Sequence, residues 1–394
     1  MDIIYLLKLG EIHLKGENRK QFIELLRVNL RRRLEAIPHK LIVRDGRFFL
    51  YAPDSYDADV SSILNRLPGI NGWARSKATA KDLPAIIAAA LEVYKNRLDQ
   101  GFVSFKVESR RADKGFALDS YALSRELGHE ICEKYPQAKV DVHTPDTVIN
   151  VEVREQVYVY ADSESGVRGL PVGCAGKGLL LLSGGIDSPV AGFHMLRRGL
   201  ALENLYFNAY PYTSHEAWEK VKSLAEVVAG YGGPMQLHTL HFTEIQLKIK
   251  KDAAANCSTL YFRAAMMLSA DRLCKQRRLN SIVTGESLSQ VASQTAENMR
   301  FSQSYTDMAV LRPLCGTDKE DIIRTARKIG TYEISILPYE DCCVLFSPKY
   351  PVIKADFEQE RRSFDRLNLG PMIEEALASC ETITVQPKTS GCKA

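Results

Sequence analysis

Ser183-Gly184-Gly185-Ile186-Asp187-Ser188 follows four consecutive leucines, Leu179 to Leu182, and precedes Pro189. The leucine run is long enough for one buried parallel strand. Two glycines then permit a sharp turn. Pro189 suits the first turn of a helix expected from Val190 to Arg198 and stopped by Gly199. Asp187 or Ser188 is expected to cap that helix. A strand, a glycine turn and a helix N-terminus make an anion site, because free backbone N–H groups converge there and the helix dipole favours negative charge. A Walker A loop is excluded. Residues 173–177 offer glycines followed by Lys177, but Gly178 stands where Ser or Thr is required and the spacing is wrong.

Other residues have chemistry that their surroundings do not absorb. Lys319 opens a helix after Gly316, and a lysine is unfavourable at a positive helix terminus unless it serves an anion. Arg263 interrupts the apolar stretch LYFRAAMMLSA, and a buried arginine needs a partner. Cys342-Cys343 follow Pro338-Tyr339-Glu340-Asp341, a setting that argues against burying both thiols. A thiolate there becomes nucleophilic only where nearby positive charge lowers its pKa. Near the start, the loop Gly10 to Arg19 gathers His13, Lys15 and Arg19, with Lys20 next, beside two glycines. Lys and Arg so placed suit backbone contacts to nucleic acid, as do Arg110 and Arg111 at the end of a predicted strand.

The elements that must position these residues fall into three stretches. Residues 1–58 read as a small α+β unit: strand Ile3–Leu9, helix Asn18–Ala36 with Phe22, Leu25, Leu26, Leu30 and Leu34 on one stripe, and a hairpin about Asp45-Gly46. Residues 60–165 read as a second α+β unit. It holds a loop at Pro68–Gly72, helix Leu83–Leu98, strand Phe102–Glu108, helix Leu118–Tyr135 and strands Val148–Val153 and Gln156–Tyr160. A Gly- and Ser-rich linker, 166–177, leads to residues 178–394, where strands alternate with helices. Leu202–Asn208, Met235–His241 and Ser281–Thr284 are the strands, and His215–Ala229 and Cys257–Arg277 the helices. That alternation predicts a doubly wound parallel sheet with ligands at the carboxyl ends of its strands. Ser183, Tyr206-Phe207 and Gly285 all fall at such ends.

Bulk composition narrows the function classes. No apolar run reaches membrane-spanning length, and the N-terminus lacks a secretory pattern, so a membrane partner is not expected. Nine cysteines without a C-x-x-C pair do not form a secreted disulfide framework, and a cytoplasmic location is expected. Residues 61–114 carry ten Lys and Arg against five Asp and Glu, whereas 115–177 carry six against ten. The basic excess thus sits in one segment, as a footprint for RNA or as a solvated face.

The hexapeptide Ser183 to Ser188 resembles the SGGxDS loop of the PP-loop ATP pyrophosphatases. With GEIHLKGENR, LLLLSGGIDSPVA, TGESLSQVASQT, RPLCGTDKEDIIRTARKIGTYEIS and PYEDCCVLFSP, the whole chain resembles the tRNA 4-thiouridine synthetase family, the ThiI family of tRNA sulfurtransferases. The resemblance implies a multidomain α/β protein: an N-terminal ferredoxin-like α+β unit, a THUMP α+β domain that binds RNA, and a PP-loop domain. It implies that ATP adenylates the uridine at position eight of tRNA on its C4 oxygen, and that sulfur from a cysteine persulfide replaces AMP to give 4-thiouridine. The family is also linked to sulfur supply for the thiamine thiazole.

By that resemblance, Leu181, Leu182, Ser183, Gly184, Gly185, Asp187, Ser188, Tyr206, Phe207, Arg263, Gly285 and Gln294 bind ATP. Asp187 holds Mg2+, Lys319 assists adenylation, Cys342 carries the persulfide, and Lys15, Arg19, Lys20, Arg110 and Arg111 contact tRNA. This chain has Cys343 where the family has glycine after its single cysteine. The stretch after Cys342 is too short for the rhodanese domain that some members carry. Sulfur is therefore expected directly from a cysteine desulfurase or another carrier, with Cys343, Cys257, Cys315 or an external reductant resolving the disulfide. Cys380 and Cys392 are expected in a polar tail, and the family's tRNA-bound forms suggest a homodimer. Two rivals remain, a small-molecule ligase of the same loop class and an RNA-binding protein without chemistry.

Overall fold

A computed structural model describes residues 2–44, 46–339 and 348–388. The chain forms two compact units, Met1–Gly169 and Leu170–Ala394.

The first unit begins with β1 (Asp2–Leu9), α1 (Arg19–Arg33), β2 (Lys40–Arg44), β3 (Arg47–Pro53), α2 (Asp57–Asn65) and β4 (Ile70–Thr79). This βαββαβ order, with strands arranged β2-β3-β1-β4, is ferredoxin-like. Leu26, Leu30 and Leu34 on the predicted stripe of α1 are fully buried. The loop expected at Pro68–Gly72 is a strand from Ile70 onward. Glycine is tolerated there for a steric reason: a Cβ on Gly72 would stand 2.6 Å from the carbonyl oxygen of Glu164, which crosses it in β9 (Glu164–Ser165).

β4 is shared. Ile70 to Ser76 pairs with β1, and Lys77 to Thr79 pairs with β8 (Val157–Ala161). The sheet continues through β7 (Thr147–Val153), β5 (Ser104–Arg111) and β6 (Lys139–Val140). Helices α3 (Leu83–Leu98) and α4 (Ser120–Lys134) cover this part. Asp82 and Asp119 cap them through Ala85 N and Ala122 N. Their apolar faces bury Tyr94, Leu123, Leu127 and Ile131 against Phe105, Val151 and Val159.

The second unit runs β10 (Lys177–Leu181), α5 (Asp187–Arg197), β11 (Ala201–Asn208), α6 (His215–Gly232), β12 (Met235–His241), α7 (Thr243–Asp252), α8 (Ser258–Arg277), β13 (Ser281–Val283), α9 (Ala296–Gln303), β14 (Ala309–Leu311), α10 (Lys319–Ile329), α11 (Tyr332–Ser335), α12 (Phe357–Arg366), α13 (Gly370–Ala378) and β15 (Glu381–Val385). Strand order is β14-β13-β10-β11-β12-β15, parallel except for β15. From β10 the chain winds outward through β11 and β12, then returns to build β13 and β14 on the other side. A crevice therefore opens between the carboxyl ends of β10 and β13, the position where such sheets bind ligands. α8 is buried on nearly every face as far as Cys274, which explains the apolar residues on both sides of Arg263. The residues after α13 do not form a polar tail up to Lys388. β15 closes the sheet against β12, and Cys380 sits half-buried before it. Cys392 lies outside the described residues.

Candidate functional site

The turn after β10 is fixed by its own serines. Ser188 Oγ accepts from Ser183 N at 2.9 Å and lies 3.2 Å from Ser183 Oγ, while Gly185 N donates to Ser183 Oγ at 3.3 Å. α5 starts at Asp187 with Ile186 at the capping position and no side-chain cap. Neither Asp187 nor Ser188 caps the helix as expected: Ser188 is spent on the turn, and Asp187 faces outward to a lysine. Gly285, just past β13, packs against this helix start. A Cβ there would meet Ser188 N at 2.7 Å and Asp187 C at 2.9 Å. Glycine lets the two strand ends approach this closely.

A cavity of about 490 Å³ opens at the crevice, within the size range of small-ligand sites. Leu181, Leu182, Ser183, Gly185, Asp187, Ser188, Tyr206, Phe207, Arg263, Gly285 and Gln294 all line it. These are sequence-predicted residues from five separate stretches. Gly184 is buried within the turn and does not line the cavity. Asp187 is held at both oxygens: Lys319 Nζ donates to Oδ1 at 2.6 Å and Gln290 Nε2 to Oδ2 at 2.8 Å. Lys319 is the first residue of α10, as its sequence position predicts. Among the described residues, no cluster of three or more His, Cys, Asp or Glu can hold a metal. A magnesium ion would then use Asp187 with phosphate oxygens and waters, its usual arrangement with one or two carboxylates.

Arg263 is half-buried in the cavity wall rather than fully buried, and it has a carboxylate partner. Its Nη2 lies 3.5 Å from Glu286 Oε1, and Arg312 Nε donates to Glu286 Oε2 at 2.7 Å. Burial alone would raise the Glu286 carboxyl, but Arg263 and Arg312 outweigh it and lower its pKa. Sequence reading missed Glu286, Arg312, Gln290 and Thr259. Glu286 and Gln290 stand one and five residues after Gly285, so the motif TGESLSQ held them in plain view. Arg312 opens the stretch RPLCGTDKEDIIRTARKIGTYEIS, whereas nothing local marks Thr259.

Chain on both sides of residues 340–347 is anchored at this site. Ser335 Oγ donates to the carbonyl of Gly185 at 3.3 Å, and buried Lys220 donates to the carbonyls of Leu337 at 2.9 Å and Tyr339 at 3.3 Å. Beyond the segment, Pro351 lines the cavity and Val352 is bonded to Asn256 and Asn298. Cys342 and Cys343 themselves lie outside the described residues. Of the other proposed resolving thiols, Cys257 is buried and pushed up to about 12 by burial and then by Glu360. Cys315 is raised by burial as well and approaches the carbonyl of Glu286 at 3.8 Å. Neither is set up as a thiolate.

In the first unit, Lys20 and Arg110 are exposed, and Lys15, Arg19 and Arg111 are half-buried. Arg19 lies against Gly46, with its Nε buried and unbonded, and Arg111 donates to the carbonyl of Phe116 at 2.9 Å. Burial, Arg19 and Arg47 together lower the His13 pKa; burial and Arg47 lower that of Lys8. Lys8 and Arg47 thus join the basic residues near the Gly10 to Arg19 loop, although Arg47 is paired with Glu152 and Lys15 with Glu11.

Three family profiles match the chain in order: the ThiI ferredoxin-like domain over residues 4–74, the THUMP domain over 80–162 and the thiamine biosynthesis protein (ThiI) over 173–369. A probable tRNA sulfurtransferase of Treponema pallidum (strain Nichols) is 45% identical over 375 residues, 94% of this chain and 93% of that protein. One from Caldanaerobacter subterraneus is 41% identical over 378 residues, 95% of this chain and 98% of the relative. Among solved structures, a 4-thiouridine synthetase in complex with RNA and bound ATP superposes with a TM-score of 0.90. It is 36% identical and covers 98% of this chain and 100% of its own.

Proposed function

The chain belongs to the ThiI family, and from that premise we propose that it catalyses ATP-dependent transfer of sulfur to tRNA, making 4-thiouridine at position eight. The observation that carries the reading is convergence: eleven of the twelve residues expected to hold ATP line one cavity, and Asp187 in its turn is bonded to Lys319. The uridine C4 oxygen is a poor leaving group and AMP a good one, so adenylation must precede thiolation. The N-terminal N–H groups of α5 and the turn at Ser183 to Ser188 hold the pyrophosphate that this step releases. Tyr206, Phe207, Leu181 and Leu182 wall the nucleotide, and Arg263, Gly285 and Gln294 complete its site. Lys319, at the mouth of the turn, offsets negative charge developing on the phosphates. Mg2+ held by Asp187 would neutralise phosphate charge when bound.

The terminal sulfur of a Cys342 persulfide then attacks C4 and AMP departs. A cysteine desulfurase loads that sulfur. AMP departure leaves Cys342 Sγ bonded to the transferred sulfur. A thiol of Cys343 or of an external reductant attacks Cys342 Sγ, and the S–S bond breaks with its electron pair going to the tRNA sulfur to release 4-thiouridine. The external reductant reduces the disulfide so formed, Cys257 being buried. Residues 60–165, with Lys15, Arg19, Lys20, Arg110 and Arg111, bind the acceptor end of tRNA; the tRNA-bound form is a homodimer in the cytoplasm.

The test supplies purified protein with tRNA, ATP, cysteine and a cysteine desulfurase, in excess reductant. AMP release and the near-ultraviolet absorbance of 4-thiouridine are both followed. Wild type should show both, Cys342→Ser only AMP release, and Cys343→Ser both. AMP release without tRNA would favour a small-molecule ligase. If Cys342→Ser still thiolates and Cys343→Ser does not, the sulfur carrier is Cys343.

A further inference from the structure

Glu286 stands just past the carboxyl end of β13 and is 4% exposed. It does not line the cavity, so its role must pass through a neighbour. Its two oxygens are used differently. Oε2 accepts from Arg312 Nε at 2.7 Å and from Thr284 Oγ1 at 3.0 Å. With that oxygen fixed, Oε1 faces Arg263, whose Nη2 is 3.5 Å away. Arg312 is in turn held by Gln303 Oε1 at 2.6 Å through Nη1. The carboxylate is thus clamped by Arg312, which does not line the cavity, and by Thr284, which does, and is turned toward Arg263, the one arginine of the network in the cavity wall. A buried carboxylate is retained only where such partners compensate it.

An arginine carries substantial rotamer entropy, and ordering it when a ligand arrives weakens binding. A fixed carboxylate removes that cost and sets the plane of the guanidinium. We propose that Glu286 is a positioning residue for the nucleotide: clamped by Arg312 and Thr284, it holds Arg263 ready in the cavity wall before ATP enters. The inference rests on the reading of Arg263 as an ATP contact.

The test measures tRNA-dependent AMP release against ATP concentration for wild type, Glu286→Gln, Glu286→Asp, Arg263→Ala and the Arg263→Ala/Glu286→Gln double variant. Tm without nucleotide and tRNA affinity report folding separately. Glu286→Gln should raise KM for ATP about tenfold, a modest part of what breaking a buried charge pair costs. Its kcat should change less than about threefold, because the contact is already made in the ground state. In the Arg263→Ala background the same change should move KM less than about twofold, since its effect passes through Arg263. Glu286→Asp keeps the charge but shortens the reach, so its KM should be intermediate.

A purely structural Glu286 would instead lower Tm and kcat with KM unmoved, or would add its full effect in the double variant; either result overturns the proposal. An unchanged KM in Arg263→Ala overturns both the ATP contact and the inference built on it. A raised KM there with an unchanged KM in Glu286→Gln overturns the positioning role alone. Should Glu286→Gln fail to fold, Glu286→Asp decides: a KM several times wild type with Tm retained supports the proposal, and an unchanged KM sinks it.

Discussion

At Gly285 a methyl group would stand 2.7 Å from Ser188 N, 2.8 Å from Ser188 Cα and 2.9 Å from Asp187 C. These are backbone atoms of a helix start and cannot swing aside as a side-chain tip can. Gly285→Ala must therefore push the first turn of α5 away from β13, at a cost of about 1–3 kcal/mol typical of overpacking. The Ser183 to Ser188 turn would move with it, so KM for ATP should rise tenfold or more while tRNA affinity holds; AMP release against ATP concentration checks the first and an equilibrium titration of tRNA the second. A variant with wild-type KM would show that the turn tolerates displacement. In the proposed reaction Lys319 acts by charge. Lys319→Met keeps the length of the side chain but loses its ammonium, and kcat for AMP release should fall about a hundredfold or more, the loss typical when one preorganised donor is removed. Stopped-flow or quench-flow measurement of AMP at saturating ATP gives that number. A loss confined to KM would mean that Lys319 serves ground-state binding only.

Elements with strong local signals were legible in the sequence, and those defined by distant partners were not. α3, β12 and α8 are bounded within a residue of their predicted limits: Asp82 caps α3, Gly233 and Pro234 precede β12, and the apolar stretch of α8 is too long for a strand. β15 was invisible: Glu381 to Val385 alternates polar and apolar residues too briefly to stand out, and it is a strand only because β12 offers an edge. That edge is held by a polar chain. Thr382 Oγ1 and Glu203 Oε2 each lie 2.8 Å from a ring nitrogen of buried His238, and Arg277 Nε donates to Glu203 at 2.9 Å. Burial would raise the Glu203 carboxyl, but His238 and Arg277 bring it down to about 2, from an ordinary 4.5. A depressed carboxyl contributes stability that is present above its unfolded value and lost as pH falls through its folded one. Glu203→Gln should thus lower Tm by a few degrees at neutral pH, about 1–2 kcal/mol. The gap to wild type should narrow steadily between about pH 4.5 and pH 2. Calorimetry across that range tests it, and a gap independent of pH would remove Glu203's charge from the account.

On the scale of the whole molecule, the cavity proposed for ATP lies in one unit and the basic residues proposed for tRNA in the other. Binding of RNA should then be separable from adenylation. The first unit does not end where its last long strand does. Gly166 N donates to the carbonyl of Asn71, Arg168 N to that of Ile70, and Gly69 N to that of Arg168, so residues up to Gly169 tie down the start of β4. A fragment of residues 1–169 should fold, whereas one cut at 161 loses β9 and these bonds and should be less stable by thermal melting. If the basic residues neutralise phosphates, log affinity of the 1–169 fragment for tRNA should fall linearly with log salt, by roughly 0.7–0.9 per contact. Arg110→Gln and Lys20→Gln, both at exposed positions, should each reduce that slope by about one. Arg19→Gln and Arg111→Gln should act differently, because their side chains are packed against Gly46 and bonded to Phe116 respectively; they should also lower Tm. Fluorescence titrations at four or five salt concentrations, in fragment and full-length chain alike, give the slopes. A slope near zero in both would place tRNA recognition elsewhere in the chain, and equal slopes for all four variants would mean that exposure does not decide which cations meet the phosphates.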